Sequence, residues 1–295
     1  MPLVALQTFH AAAADNRLAF LGPEGTYSAQ AALEYVSRTG LGGVIPLKSI
    51  TEIAESVTHG QTPYGLLPFE NSIGGYVGET HRLLLAPGDP GWRAVAEVTI
   101  PISDNLLVKA GSHLSDLRKI VSHPEALKQC AGWLKANLPN LPAEGVDSTA
   151  AAAETVLKSD GAVGAIASPA AAKVYQLQIL FPDIQDDKRN ATNFLIVQAA
   201  GRDIREHFPN RLIVKIDAAR GDGALTKLVE DLHHWSFTLT AVDSSPTGEL
   251  GMDRLSLIFD AKDGGPLEQI QTTVGSSGAL LIGAYRPAPV GDQHE

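Results

Sequence analysis

Between Arg17 and Ala200 short apolar runs alternate with stretches of about ten residues whose apolar positions recur every three or four, and few fold classes accommodate that rhythm. Leu18-Ala19-Phe20-Leu21 has the length of a buried strand and stops at Gly22-Pro23. A helix is expected over 28–37, where Ala31, Ala32, Tyr35 and Val36 share one face. A strand at 44–45, a helix at 50–57 and a strand at 64–67, ended by Pro68, continue the series. Further strands are expected at 102–109, 119–122, 164–167 and 194–197, and helices at 125–134, 149–157 and 169–175. Strands separated by helices of this length form βαβ units, so the expected class is α/β with a largely parallel sheet. The Pro/Gly-rich residues 86–91 read as a crossover between two lobes.

After Gly201 the texture changes. Leu212, Val214 and Ile216 alternate as in a half-buried strand, and Leu225, Leu228, Val229 and Leu232 follow at helical spacing. Strands at 237–242, 254–259 and 279–285 and a helix around Leu267, Ile270 and Val274 complete the order βαββαβ, a ferredoxin-like unit with its own apolar faces. A length of 295 residues suits about two domains.

Composition narrows the partners. Against 23 Lys+Arg stand 33 Asp+Glu, a net charge of −10. Such a chain has no long-range attraction to nucleic acid or an anionic membrane, although one local site can still hold a small anion. A single cysteine, Cys130, excludes an internal disulfide and any multi-cysteine metal site. It reads as a small buried apolar side chain. The pair His233-His234 reads as a solvated helix end, so no metal is expected. No apolar run is long enough to span a bilayer. Residues 1–16 lack Lys and Arg and read as a frayed N-terminus of a cytoplasmic protein.

Three turns share one design, in which a strand ends, small polar residues follow and a helix begins. They are Gly22-Pro23-Glu24-Gly25-Thr26-Tyr27-Ser28, the stretch from Pro68 to Gly75, and Asp147-Ser148-Thr149. Free N–H groups and the positive dipole end make each a possible anion site. Neither GxGxxG nor GxxxxGK[ST] occurs, so the dinucleotide and nucleoside-triphosphate readings lack their fingerprints.

The motifs GPEGTYS (22–28), PFENSIGG (68–75), SHPEALKQC (122–130), DSTAAAAE (147–154), YQLQIL (175–180) and NATNF (190–194) resemble, in order and spacing, those of the prephenate dehydratase family. The C-terminal unit is similar to that family's ACT regulatory domain, with Gly223-Ala224-Leu225 and Leu281-Ile282-Gly283-Ala284-Tyr285 as the matching stretches. The resemblance implies a two-lobed catalytic domain of the type II periplasmic-binding kind over 17–200, with lobe 1 at about 17–100 plus 190–200 and lobe 2 at about 101–189. An ACT domain would follow at 210–288. It also implies a lyase of phenylalanine biosynthesis that converts prephenate, a small dianion, to phenylpyruvate without any cofactor. Thr192 matches the catalytic threonine, whose hydroxyl faces the leaving group. Thr26, Ser28, Glu70, Asn71 and Ser72 match substrate-binding positions, as do Ser148, Thr149, Asn190, Asn193 and Phe194. In the ACT unit, Gly223, Ala224, Leu225, Ser244 and Pro246 match an allosteric site for an aromatic amino acid, and paired ACT units imply a homo-oligomer.

Several positions depart from the pattern resembled. Asn193 stands where the family has arginine, Asp104 where it often has histidine, and Pro169 where glutamate is usual. A guanidinium–carboxylate hydrogen bond is worth roughly 1.5–3 kcal/mol, so a cleft without that arginine binds an anion less well. Lys188 or Arg189 would replace the charge unless they are surface cations beside Asp186 and Asp187. Asp243-Ser244-Ser245-Pro246 lacks the arginine of Glu-Ser-Arg-Pro, which argues for a weak response to phenylalanine. Two alternatives stay open: a decarboxylase of secondary metabolism that retains the ring hydroxyl, and a non-catalytic sensor of aromatic acids.

Overall fold

The first strand, β1 (Leu18–Leu21), has Leu18, Ala19 and Phe20 fully buried, as a strand covered on both faces requires. The computed structural model describes residues 16–219, 221 and 223–287; the expected N-terminal tail, apart from Asn16, and residue 288 lie outside them. Helix α1 (Tyr27–Thr39) begins where the Thr26 hydroxyl accepts the Ala29 N–H at 3.2 Å. Its buried face is largely alanine, so it lies close against the sheet. Strand β2 (Val44–Leu47) leads to α2 (Ile50–Thr58), whose first turn is capped by Ser49 at 3.0 Å.

Strand β3 (Tyr64–Asn71) does not stop at Pro68 as expected. Proline is tolerated there because the register with the neighbouring strand slips between Asn193 and Phe194, at a bulge where the absent N–H is not missed. The chain then folds back through β4 (Gly75–Tyr76) into α3 (Gly78–Leu84) and the long β5 (Trp92–Pro101). Residues 86–91 are thus a turn inside the larger sheet and not the passage between lobes.

That passage lies at residues 102–104. Beyond it a second, five-stranded sheet forms from β6 (Asn105–Val108), β7 (Lys119–Ser122), β8 (Ala143–Gly145), β9 (Val163–Ala167) and β10 (Gln178–Phe181), in the order β10-β6-β9-β7-β8. Its helices are α4 (Pro124–Gln129), α5 (Ala131–Asn137), α6 (Thr149–Lys158) and α7 (Pro169–Val174). The single helix expected at 125–134 breaks at Cys130, because the Asp186 carboxylate accepts the N–H groups of Gly132 and Trp133 at 2.8 and 3.0 Å and starts α5 afresh. The chain returns through residues 184–190 into β11 (Ala191–Ala199), which lies antiparallel between β3 and β5. The two passages are bonded to each other: Ile184 N–H donates to Asp104 O at 2.7 Å and Ile102 N–H to Asn190 O at 2.9 Å.

The C-terminal unit contains β12 (Arg211–Ala219), α8 (Ala224–His233), β13 (Thr238–Pro246), β14 (Met252–Asp260), α9 (Leu267–Ser276) and β15 (Leu280–Tyr285). Its strands run antiparallel in the order β13-β14-β12-β15. Leu212, Val214, Leu228, Phe237, Phe259 and Ile270 form a core beneath its helices. The other face of its sheet does not stand apart. Ile213, Ile258, Ile282 and Tyr285 pack with Trp92, Ala94, Leu195 and Val197 in one shared core, and β15 pairs with β5 at Gly283 and Ala94. One ten-stranded sheet therefore spans both regions. It is mixed and not largely parallel: β1 runs parallel to β2 and β3, and β15 to β5, whereas the other pairings are antiparallel.

Gly283 makes this junction possible, since a Cβ there would lie 3.0 Å from Ala94 Cβ and 3.2 Å from Ile213 Cγ1. Gly283→Val is expected to lower stability by about 1–3 kcal/mol through overpacking, read as a fall in the urea midpoint. An unchanged midpoint would show that the junction yields freely.

Candidate active site

Between the two sheets lies a cleft of about 1270 Å³. Its walls follow from where strands end and helices begin, as the rule for open α/β sheets requires. Lobe 1 contributes Thr26 and Ser28 from the start of α1, Lys48 just beyond β2, and Asn71 and Tyr76 from the β3–β4 hairpin. The facing wall has His123 and Gln129 from α4 and Ser148 and Thr149 from α6. Thr192 from β11 and Asp104 from the first passage complete it. At one end the lobes touch: Ser168 donates to Gly25 O at 2.8 Å, and Gly25, at φ +83°, leaves no room for a side chain because its Cβ would lie 3.2 Å from Ala171 Cα.

Two of the three turns singled out are helix starts, as expected. The Thr26 hydroxyl caps α1 and also donates to Pro23 O at 2.9 Å, and Ser148 caps α6 by accepting Ala151 N–H at 3.0 Å. The middle turn is different. It is the hairpin between β3 and β4, and α3 starts only at Gly78, so no helix dipole acts at Glu70 or Asn71.

Asn71 is the hub of the hairpin. Its Oδ1 accepts the N–H groups of Ile73 and Gly74 at 3.0 and 2.8 Å, which fixes the amide orientation. Its Nδ2 then donates to Asn190 Oδ1 at 2.7 Å, Thr192 Oγ1 at 3.0 Å and Ala191 O at 3.1 Å. Because Thr192 Oγ1 accepts that bond, its own hydrogen stays free, and no described residue takes it. The hydroxyl is a donor held in place in the cleft wall.

The expected catalytic and substrate-binding residues divide. Thr26, Ser28, Asn71, Ser148, Thr149 and Thr192 line the cleft. Glu70, Ser72, Asn190, Asn193 and Phe194 do not. Phe194 belongs to the lobe 1 core, and Asn190, 1% exposed, joins Asn71 to Gln129 Oε1. Ser72 donates to Arg189 O and accepts Ala191 N–H. Asn193 follows Thr192 on the strand and so points to the other face, where its Oδ1 is buried without a partner. Arg189 pairs with Asp187 on the surface and Lys188 bonds Asp183 O, so neither replaces the expected arginine in the cleft.

Two further candidates fall outside the expected site residues, Lys48 in none of the motifs and His123 inside SHPEALKQC but not singled out there. Lys48 is the lone Lys or Arg among the described residues that line the cleft, and His123 caps α4 there. The signal that could have found Lys48 is positional, since it directly follows a parallel strand whose carboxyl end must face the ligand. Acids are also present: Glu24, Glu125, Asp147 and Asp104 line the same space. Asp104 is fully buried, and desolvation raises its carboxyl to about 6 against the opposing Tyr27 hydrogen bond. Burial also pushes the Cys130 thiol up, so it is no nucleophile.

The residues expected to form a regulatory site lie at the start of α8 (Gly223, Ala224, Leu225) and in the edge strand β13 (Ser244, Pro246). Among the described residues no cluster of His, Cys, Asp and Glu is arranged to hold a metal, and no helix is long and apolar enough to cross a membrane.

The solved structure of a prephenate dehydratase from Arthrobacter aurescens, in complex with L-Phe, superposes with a TM-score of 0.80 at 26% identity, over 93% of this chain and 91% of that one. A structure described as GqqA, a novel type of quorum quenching acylase, superposes with a TM-score of 0.77 at 25% identity, over 92% of this chain and 98% of the other. A bifunctional chorismate mutase/prephenate dehydratase of Aquifex aeolicus is 34% identical over 237 residues, 80% of this chain but only 63% of the relative's length. Residues 18–202, which contain both sheets' contributions to the cleft, match the family described as PDT, prephenate dehydratase. By that match, the chain belongs to the prephenate dehydratase family.

Proposed function

We propose that this protein converts prephenate to phenylpyruvate, releasing carbon dioxide and water. The observation that carries the reading is the Thr192 hydroxyl, held by Asn71 with its own proton unclaimed. Prephenate carries two carboxylates and a ring hydroxyl. Lys48 and the N–H groups at the starts of α1 and α6 dock the carboxylates. With the ring hydroxyl against Thr192, the C–C bond to the ring carboxylate breaks and its electron pair enters the ring. The hydroxyl leaves with one proton, as water. The balance is prephenate dianion plus one proton giving phenylpyruvate monoanion, carbon dioxide and water. Aromatisation drives the step, so orientation and one hydrogen-bond donor suffice.

The catalytic part, of the type II periplasmic-binding kind, corresponds to residues 17–200 and an ACT regulatory domain to 210–288. The βαββαβ strand order and the relative crystallised with L-Phe support the second assignment. Its coupling to the cleft runs through β13: Asp243 bonds His81 Nδ1 at 2.6 Å, and the His81 ring lies 4.0 Å from that of Tyr76. Ser245, in place of an arginine, gives a weak response to an aromatic amino acid. The working form is a cytoplasmic homo-oligomer.

NMR of purified protein incubated with prephenate tests the reaction. Phenylpyruvate is expected, unchanged prephenate refutes the reading, and a dihydro product that keeps its hydroxyl replaces it with simple decarboxylation. Lys48→Gln removes a charge-assisted bond worth roughly 1.5–3 kcal/mol, so KM for prephenate is expected to rise roughly ten- to hundred-fold with kcat little changed. An unaltered KM would exclude Lys48 from docking.

A further inference from the structure

His81 of α3 is 6% exposed, and its ring touches both legs of the β3–β4 hairpin. The ring centroid lies 5.1 Å from that of Phe69 on β3 and 4.0 Å from that of Tyr76 on β4. Its Nδ1 sits 2.6 Å from Asp243 Oδ2, on strand β13 of the C-terminal unit. A carboxylate only accepts, so Nδ1 carries the hydrogen. Nε2 is buried and bonded to nothing among the described residues. A second proton there would be stranded. Burial also holds the ring below the usual histidine range, against the Asp243 bond and the Glu70 charge, so the ring is neutral with Nε2 bare. We propose that Asp243 and His81 are positioning residues through which the C-terminal unit sets the rate at the cleft: the carboxylate fixes the imidazole, and the imidazole fixes the hairpin that carries Asn71.

Each end of this path is pinned. Asp243 Oδ1 accepts the N–H of Ser244 at 2.9 Å, so its own strand holds the carboxylate while Oδ2 reaches across to His81. Ser244 and Pro246, expected at a regulatory site, continue the same strand. At the other end Tyr76 pairs with Glu70 and Gly75 with Asn71, so the ring stacked on His81 stands in the cross-strand pair next to that of Asn71. Val77 N–H donates to Phe69 O at 2.8 Å and ties the start of α3 to the same strand. Residues 72–75 at the tip are exposed and add no core of their own. Asn71 and Ser72 hold the hairpin to residues 189–192, and the cluster of Phe69, Tyr76 and His81 is its second hold. A phenylalanine at 81 would fill the same space and leave no nitrogen unmet. What the imidazole adds is the bond to Asp243.

The first test needs no substrate. Nitrogen NMR of the whole protein, with His81 assigned from its absence in His81→Phe, should show a ring protonated at Nδ1 and bare at Nε2 near neutral pH. A His81 ring protonated at Nε2 overturns the proposal. In Asp243→Ala the preference for Nδ1 should be lost and the side-chain amide signals of Asn71 should move; unmoved Asn71 signals overturn it as well. The second test rests on the proposed prephenate reaction. Asp243→Ala, at a side chain 36% exposed, should keep the fold by circular dichroism. It should lower kcat roughly five- to tenfold with KM little changed, the size of one lost hydrogen bond to a charged group. His81→Phe, which keeps a ring and loses both nitrogens, should lower kcat by a similar factor, and the double variant no further than either alone. If Asp243→Ala costs the same factor in the His81→Phe background as in wild type, or leaves kcat whole, the proposal falls. Absence of any prephenate turnover in wild type would sink the reaction, while the nitrogen spectra and the Asn71 signals would still decide whether Asp243 holds the hairpin.

Discussion

Thr192→Ala is expected to lower kcat for prephenate by roughly 10²–10³-fold, the usual consequence of deleting one donor aimed at developing charge. The fold should survive, because Thr192 is part-exposed in the cleft wall and its backbone pairs with Asn71 on β3 and Ile100 on β5 whatever the side chain. KM should change little, since the hydroxyl acts where the leaving group gains charge and not where the carboxylates dock. Thr192→Ser is the discriminating companion. It restores a hydroxyl within reach of Asn71 Nδ2, so most of the lost rate should return. Circular dichroism would verify that both variants fold, and steady-state kinetics would read the split. Wild-type kcat in Thr192→Ala would show that the hydroxyl is not the donor.

Local features are legible in the sequence where local chemistry decides them. The start of α1 at Thr26 and of α6 at Ser148 follow from capping residues ahead of apolar periodicity. Thr192 and Asn71 stand out by motif resemblance, and the structure brings their side chains within 3.0 Å of each other. What the sequence hides is set by distant partners. Strand β5 is hidden because Arg93, Glu97 and Thr99 interrupt its apolar run. Glu97 is nevertheless 8% exposed, since Arg211 and Tyr285 of the C-terminal unit bond it at 3.1 and 2.9 Å. Likewise Lys215 is buried because its ammonium bonds the carbonyl oxygens of Ala86 and Gly88. Such pairings connect residues more than a hundred positions apart, and no local window contains them.

The absent arginine has a different meaning once register is known. Asn193 stands directly opposite Glu70 on β3 and off the cleft, so an arginine there would have Glu70 as its cross-strand neighbour. Asn193 itself adds no group to the lining of the cleft. Lys48 and two capped helix starts are the cleft's positive groups.

Asn71→Ala should damage both stability and activity, more than any other substitution outside Thr192. The side chain serves five groups at once: two N–H groups of its own hairpin, Asn190, the Ala191 carbonyl and the Thr192 hydroxyl. Removing it strands donors in the turn and leaves the 1%-exposed Asn190 with one acceptor unmet. At about 1 kcal/mol per lost bond, with water recovering some at the cleft side, a loss of about 2–3 kcal/mol in unfolding free energy is expected. Activity should fall further than stability alone implies. Without Asn71 the Thr192 hydroxyl loses the bond that left its hydrogen free, and it can turn to donate elsewhere; a misplaced catalytic group costs roughly 10²-fold. Asn71→Asp separates the two roles. A carboxylate still accepts from Ile73 and Gly74, so the turn should hold, but it cannot donate to Thr192 and instead competes for that hydroxyl's proton. With a carboxylate oxygen facing Asn190 Oδ1 and Ala191 O, the expected result is a variant that keeps the turn, loses about 1–2 kcal/mol in urea and is poorer in kcat than that loss explains. Full activity in Asn71→Asp would mean that Thr192 needs no donor to orient it.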